Sequence, residues 1–136
     1  MNQIANNPSL RLALIYLAIL AIGVLPLTFN VIRNRRDAKV GLQDGGNKQL
    51  AQAIRVHGNY TENVPFALAL LIGLGLAGVA AWTIHLVGLA MIIGRIAHAI
   101  GLSQSSGTSA GRAGGMVLTW LSLISGSIAL LAAALG

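Results

Sequence analysis

The stretch Leu10–Ile32 reads LRLALIYLAILAIGVLPLTFNVI. After Arg11 it carries no charge, and at 1.5 Å per residue it is long enough for the hydrocarbon core of a bilayer, about 30 Å. It is too long and too uniformly apolar for an alternating barrel strand, so a helix is the only spanning form open to it. Further segments of spanning length follow at about 50–76, 80–102 and 113–135. The sequence therefore predicts an all-α integral membrane protein, a single domain over 1–136 built as a four-helix bundle. The first segment exceeds the 7–15 apolar residues of a signal peptide, and no small-x-small cleavage pattern precedes the basic stretch after it. It reads as a retained helix.

Composition agrees. The chain is 55% hydrophobic and only 9% charged, against about 25% charged in a soluble domain. A water-soluble globule of this size cannot hide so much apolar surface, and a disordered chain needs the opposite balance. Net charge is +6 but aromatics are only 4%, so base stacking has little to work with and no nucleic-acid partner is expected. With no cysteine in the chain, disulfides, thiolate-held metals and a protein thiol nucleophile are excluded. No metal site is expected, and any thiol chemistry must use a thiol brought by a ligand.

The charges order the segments. Arg33, Arg35, Arg36, Lys39 and Lys48 lie between the first and second, and Arg112 between the third and fourth. The turn Ala77-Gly78-Val79 has none. The positive-inside rule places both basic loops in the cytoplasm and both termini outside, in an up-down-up-down arrangement. The loop Asp37–Asn47 is rich in turn residues, and Ser103–Gly111 is almost wholly Ser, Gly and Thr, with no structure expected. Ala90, Gly94, Ala97 and Gly101 form a small-residue stripe, and Ser122 with Gly126 forms a small-xxx-small pair. Such spacing suits close helix contact, within one subunit or between copies.

The second segment carries polar residues where a membrane helix rarely keeps them: Arg55-Val56-His57-Gly58-Asn59-Tyr60-Thr61-Glu62-Asn63-Val64-Pro65. At about 100° per residue, Arg55, Asn59 and Glu62 share one sector. Charges at such depth usually face a bundle interior or a wet cavity. Pro65 removes a backbone donor, so a kink or local polar contact is expected beside it. Arg95 and His98, one turn apart, lie near the same end of the third segment, and the topology lets one pocket gather them all, with Arg112 at its rim. Glu62 could instead pair with Arg55 or Arg95 as a plain inter-helix clamp. Against the clamp stands the balance: Arg55, Arg95 and Arg112 face a single Glu62, which leaves room for a ligand with at least two negative groups. His57 points away from this face, and the run Arg33–Arg36 reads mainly as an orientation and headgroup signal.

The pattern Arg55-x-His57-x-Asn59-x-x-Glu62-x-x-Pro65 resembles the signature of the MAPEG superfamily, the membrane-associated proteins in eicosanoid and glutathione metabolism. Val40-Gly41-Leu42-Gln43-Asp44-Gly45-Gly46 is similar to the form seen in bacterial members, and Gly94-Arg95-Ile96-Ala97-His98 resembles the family's third-helix motif. The resemblance implies a homotrimer in a bacterial inner membrane, with glutathione as co-substrate between neighbouring subunits near the cytoplasmic face. It implies that Arg55, Asn59, Glu62, Arg95 and His98 bind or brace glutathione, and that Arg112 stabilises its thiolate. The residue types suit this: guanidinium groups hold carboxylates through bidentate bonds, a carboxylate suits the ammonium, and a nearby cation favours thiolate, the nucleophile. Lipophilic electrophiles or hydroperoxides would arrive from the bilayer.

The sequence departs from the pattern at Gly58, where several eukaryotic members carry a basic residue. It departs also at Leu102, where many have a tyrosine, and at Ala113, where some have a serine. The expected function is a glutathione-dependent membrane transferase or peroxidase. One alternative is a non-catalytic protein that keeps the fold. Another is a small four-helix exporter, which wants an acidic residue in the first helix; none is there.

Overall fold

The computed structural model describes residues 4, 6–105 and 107–136. The elements are α1 (Pro8–Ile22), α2 (Val24–Ala38), α3 (Lys48–Leu76), α4 (Ala81–Gln104) and α5 (Ala110–Leu135). There is no strand among the described residues. α1 and α2 together make the first of four helices, arranged up-down-up-down, so the architecture is the all-α bundle that the apolar runs predict. Pro8–Ala38, Ala81–Gln104 and Ala110–Leu135 are each long and apolar enough to cross a membrane. α3 is longer than α4 or α5, at 29 residues, but its first half is diluted by the polar residues that make the chain interesting.

Local chemistry sets the boundaries. Asn7 caps α1 by accepting a hydrogen bond from the Leu10 amide at 2.9 Å, and Pro8 takes the first turn, where a missing donor costs nothing. The break at Gly23 follows from Pro26, whose absent N–H leaves the Ile22 carbonyl without its helical partner. Gly23 keeps right-handed dihedrals (φ −58°, ψ −19°), so the break is local. Tyr60 of α3 uses it: its hydroxyl lies where a Gly23 side chain would begin and donates to the Leu20 carbonyl at 2.6 Å. Past Ala38 the chain turns through left-handed Lys39 (φ 53°), Gln43 (φ 56°), Gly45 and Gly46 before Asn47 caps α3.

One expectation changes. The segment Ser103–Gly111 is not a featureless loop: Ser103 and Gln104 complete α4, and Ala110 and Gly111 open α5. Ser109 supplies the cap, its hydroxyl oxygen accepting from the Arg112 amide at 3.3 Å while the hydroxyl donates to the Gly101 carbonyl at 3.1 Å. Ser106, which falls in this segment, lies outside the described residues. Near Pro65 the local polar contact is present: α3 is continuous through the proline, and one turn before it the Thr61 hydroxyl donates to the Gly58 carbonyl at 3.0 Å.

α3 is the central element and packs against α1, α2, α4 and α5. The core fills the half of the bundle remote from the basic loops, where Leu71, Leu74, Ile84, Val87 and Met91 are fully buried with Ala13, Tyr16 and Leu20. α4 and α5 are the most intimately packed pair, because glycines face each other. A side chain at Gly115 would start 2.5 Å from the Gly94 carbonyl, and one at Gly94 would start 2.9 Å from the Gly115 carbonyl. Ile15, Ile93, Trp120, Ile124, Ile128 and other large apolar side chains point outward, as lipid-facing or partner-facing surface requires.

Candidate functional site

The polar residues of the basic end separate into an interior network and an exposed face. Arg95, on α4, is 3% exposed. Its guanidinium donates to the Asn59 side-chain oxygen on α3 and to the Thr119 hydroxyl on α5, and to the Gly115 carbonyl at 3.3 Å. One buried cation thus ties three helices together. Asn59 is buried, and its own carbonyl accepts from the Asn63 side-chain amide at 2.8 Å. His98 is buried one turn beyond Arg95, against the Gly115 backbone. A buried cation is tolerable only when its donors find acceptors; Asn59, Thr119 and Gly115 supply them for the two terminal nitrogens, while Nε is left without a partner.

Arg55 and Glu62 behave differently. Arg55 Nη1 donates to Glu62 Oε1 at 2.9 Å, with the two side chains 57% and 54% exposed. Such a pair contributes only about 0–1 kcal/mol, so stability does not explain it. Gly58 lies between the two partners, and a side chain there would meet nothing nearer than Glu62 at 3.8 Å. This glycine, unlike Gly94 and Gly115, is not required by packing inside the chain.

Two clefts share Arg55. One, of about 650 Å³, is lined by Lys48, Arg55 and Arg112 with Gln52, Gln104, Ala51 and Leu102. It brings cations from α3 and α5 into one space and has no carboxylate on its wall. The other, of about 500 Å³, is lined by Gln43, Asp44, Ala51, Ile54, Arg55, Gly58 and Glu62. Of the chain's three acidic residues, two border this second cleft. Arg112 Nη1 donates to the Gly107 carbonyl at 3.2 Å, which holds the arginine at the rim.

The structure therefore joins Arg55 to Arg112 through the cationic cleft and to Glu62 through the mixed one. It sets Asn59, Arg95 and His98 apart in the interior, where neither cleft reaches them. Sequence reasoning missed Lys48, Gln52, Gln104 and Asp44 as cleft residues. For Lys48 the signal was present: Lys48, Arg55 and Glu62 are spaced by seven, two helical turns each, which puts them on one face.

Fold and site define a multi-pass integral membrane protein with a cation-lined cleft at one end of its helices. The chain belongs to the MAPEG family, whose model matches residues 13–132. It is similar to the inner membrane protein YecN of Escherichia coli K12, at 32% identity over 110 residues, covering 81% of this chain and 82% of the relative. The protein of the same name from Escherichia coli O6:H1 strain CFT073 matches equally. No solved structure gives a significant match.

Proposed function

We propose that the protein is a glutathione-dependent transferase or peroxidase acting on lipophilic electrophiles or hydroperoxides. It works as a homotrimer in a bacterial inner membrane, with both termini outside the cytoplasm. The observation that carries this reading is the pair of clefts around Arg55: one wall of Lys48, Arg55 and Arg112 without a carboxylate, and beside it Glu62 and Asp44. Glutathione has two carboxylates, an ammonium and a thiol. Arg55 and Lys48 suit the carboxylates, and Glu62 suits the ammonium. Arg112 at the rim stabilises the thiolate, whose sulfur attacks the electrophile. Asn59, Arg95 and His98 act from beneath, holding α3, α4 and α5 in register.

The trimer draws support from the same face. An exposed Arg55–Glu62 pair on a helix surrounded by outward apolar side chains is costly against lipid, and a second copy would cover it. A second reading, glutathione binding without turnover, is favoured by Leu102, an inert side chain on the cleft wall. The relatives carry the name of an inner membrane protein, which supports the membrane assigned here.

Calorimetric titration of glutathione into purified protein tests the binding, and ultraviolet absorbance of the bound thiolate tests the activation. The catalytic reading expects binding with a thiolate signal that Arg112→Ala removes. Binding without that signal selects the second reading, and no binding contradicts both.

A further inference from the structure

The Cα atoms of α2 and α4 stay more than 8 Å apart, which leaves a seam between them, floored by α3. At the basic end this seam widens into a notch of about 240 Å³, to which α2 contributes Arg33, α3 Gln49 and α4 Ser103, with no carboxylate on its wall. The neighbouring amides of Asn34 and Gln52 are spent on the Asn30 and Leu102 carbonyls. Arg33 gives one N–H to the Asn30 side chain at 3.3 Å and keeps the rest of its guanidinium donors. Arg33, Gln49 and Ser103 are all exposed, so three helices each present a free donor group to one space.

Further along the seam lies a mainly apolar groove of about 270 Å³, walled by Gly23, Pro26 and Leu27 on one side and Ile92, Ile96 and Ile100 on the other, with Tyr60 and the hydrogen-bonded Arg95 also lining it. Leu27 to Asn30 and Ile100 to Ser103 are each one step of three residues, about 4.5 Å along a helix. Notch and groove are therefore consecutive parts of one seam. The notch also lies at headgroup depth. From Pro8 to Arg33 and from Ala81 to Ser103 the helices rise about 33–38 Å, just beyond a hydrocarbon core of about 30 Å.

We propose that this seam binds one phosphatidylglycerol-type phospholipid per subunit, its phosphate held by Arg33, Gln49 and Ser103 and one acyl chain lying in the groove toward Gly23. A donor-rich notch without an acid accepts a phosphodiester but has no carboxylate to pair with an ammonium, only neutral amide and hydroxyl oxygens, which favours phosphatidylglycerol over phosphatidylethanolamine. The apolar walls require a chain, which separates a lipid from a free phosphate. The site shares only Gln52 with the clefts around Arg55 and does not rest on the glutathione reading.

Native mass spectrometry of the delipidated full chain, titrated with phosphatidylglycerol, phosphatidylethanolamine or glycerol 3-phosphate, tests this. The expected result is one phosphatidylglycerol per subunit, held at least tenfold tighter than phosphatidylethanolamine, with no adduct from glycerol 3-phosphate. Arg33→Ala should abolish that preference. Ile100→Trp, which fills the groove from an exposed position, should weaken the phospholipid, while Arg36→Ala should leave it unchanged. Equal binding of both lipids, binding of glycerol 3-phosphate as tight as the lipid, or equal losses in Arg33→Ala and Arg36→Ala would overturn the proposal. So would retention of the lipid by Ile100→Trp at wild-type affinity, which would leave the groove to another copy of the chain.

Discussion

The two halves of this bundle are held together by different physics. In the half away from the basic loops, Leu71, Leu74, Ile84 and Met91 pack against one another, with only neutral bonds such as Tyr16 to His85 and Ser122 to the Val87 carbonyl beside them, and packing does most of the work. In the basic half, Arg95 joins α3, α4 and α5 through Asn59, Thr119 and the Gly115 carbonyl. The difference frees the basic end for function: with the helices locked from inside by one buried guanidinium, Arg55, Glu62, Lys48 and Arg112 can remain on an open face. Arg95 and Arg55 thus occupy opposite environments, one buried among acceptors and the other on an open face.

Breaking the interior lock should have the largest effect. Arg95→Leu takes the donor away from the acceptors on Asn59, Thr119 and Gly115; each buried acceptor left unsatisfied costs about 1–3 kcal/mol, so the summed loss should be the largest of the series, read by unfolding in mixed micelles. Leu71→Ala at the other end opens a cavity in a site that is fully buried. It should cost about 2–3 kcal/mol, the lower part of the soluble-protein range, because lipid lessens the transfer term. A loss at Leu71 as large as that at Arg95 would erase the contrast between the halves. Gly58→Ala sharpens it in the other direction. The helix has room for the methyl group, so the variant should gain about 0.5–1 kcal/mol from helix propensity. Arg55→Ala should change stability least, within about 0.5 kcal/mol, because the ion pair it removes is exposed.

The fold was legible because apolar runs of spanning length leave the backbone a single way to satisfy its hydrogen bonds. The ends of α4 and α5 were not. The Ser109 hydroxyl and the close approach of Gly101 to Gly111 are contacts between elements, invisible in a run of Ser and Gly. The site was legible in part for a similar reason. Seven-residue spacing found the Arg55–Glu62 pair, and applied once more it reaches Lys48. Asn59 lies only about 40° around the helix from Arg55, yet that rotation carries it from the open face to the interior. A shared sector cannot tell which side of that boundary a residue occupies; the position of α4 decides it.

The proposed function places the ligand on the exposed arginine face, not the buried one. Calorimetric titration of glutathione into wild type and Arg55→Ala, paired with unfolding of both, tests it directly. The account predicts saturable binding to wild type, at least tenfold weaker binding to Arg55→Ala, and nearly coincident unfolding curves. Unchanged affinity in Arg55→Ala, or an affinity loss that merely follows a loss of stability, would contradict it.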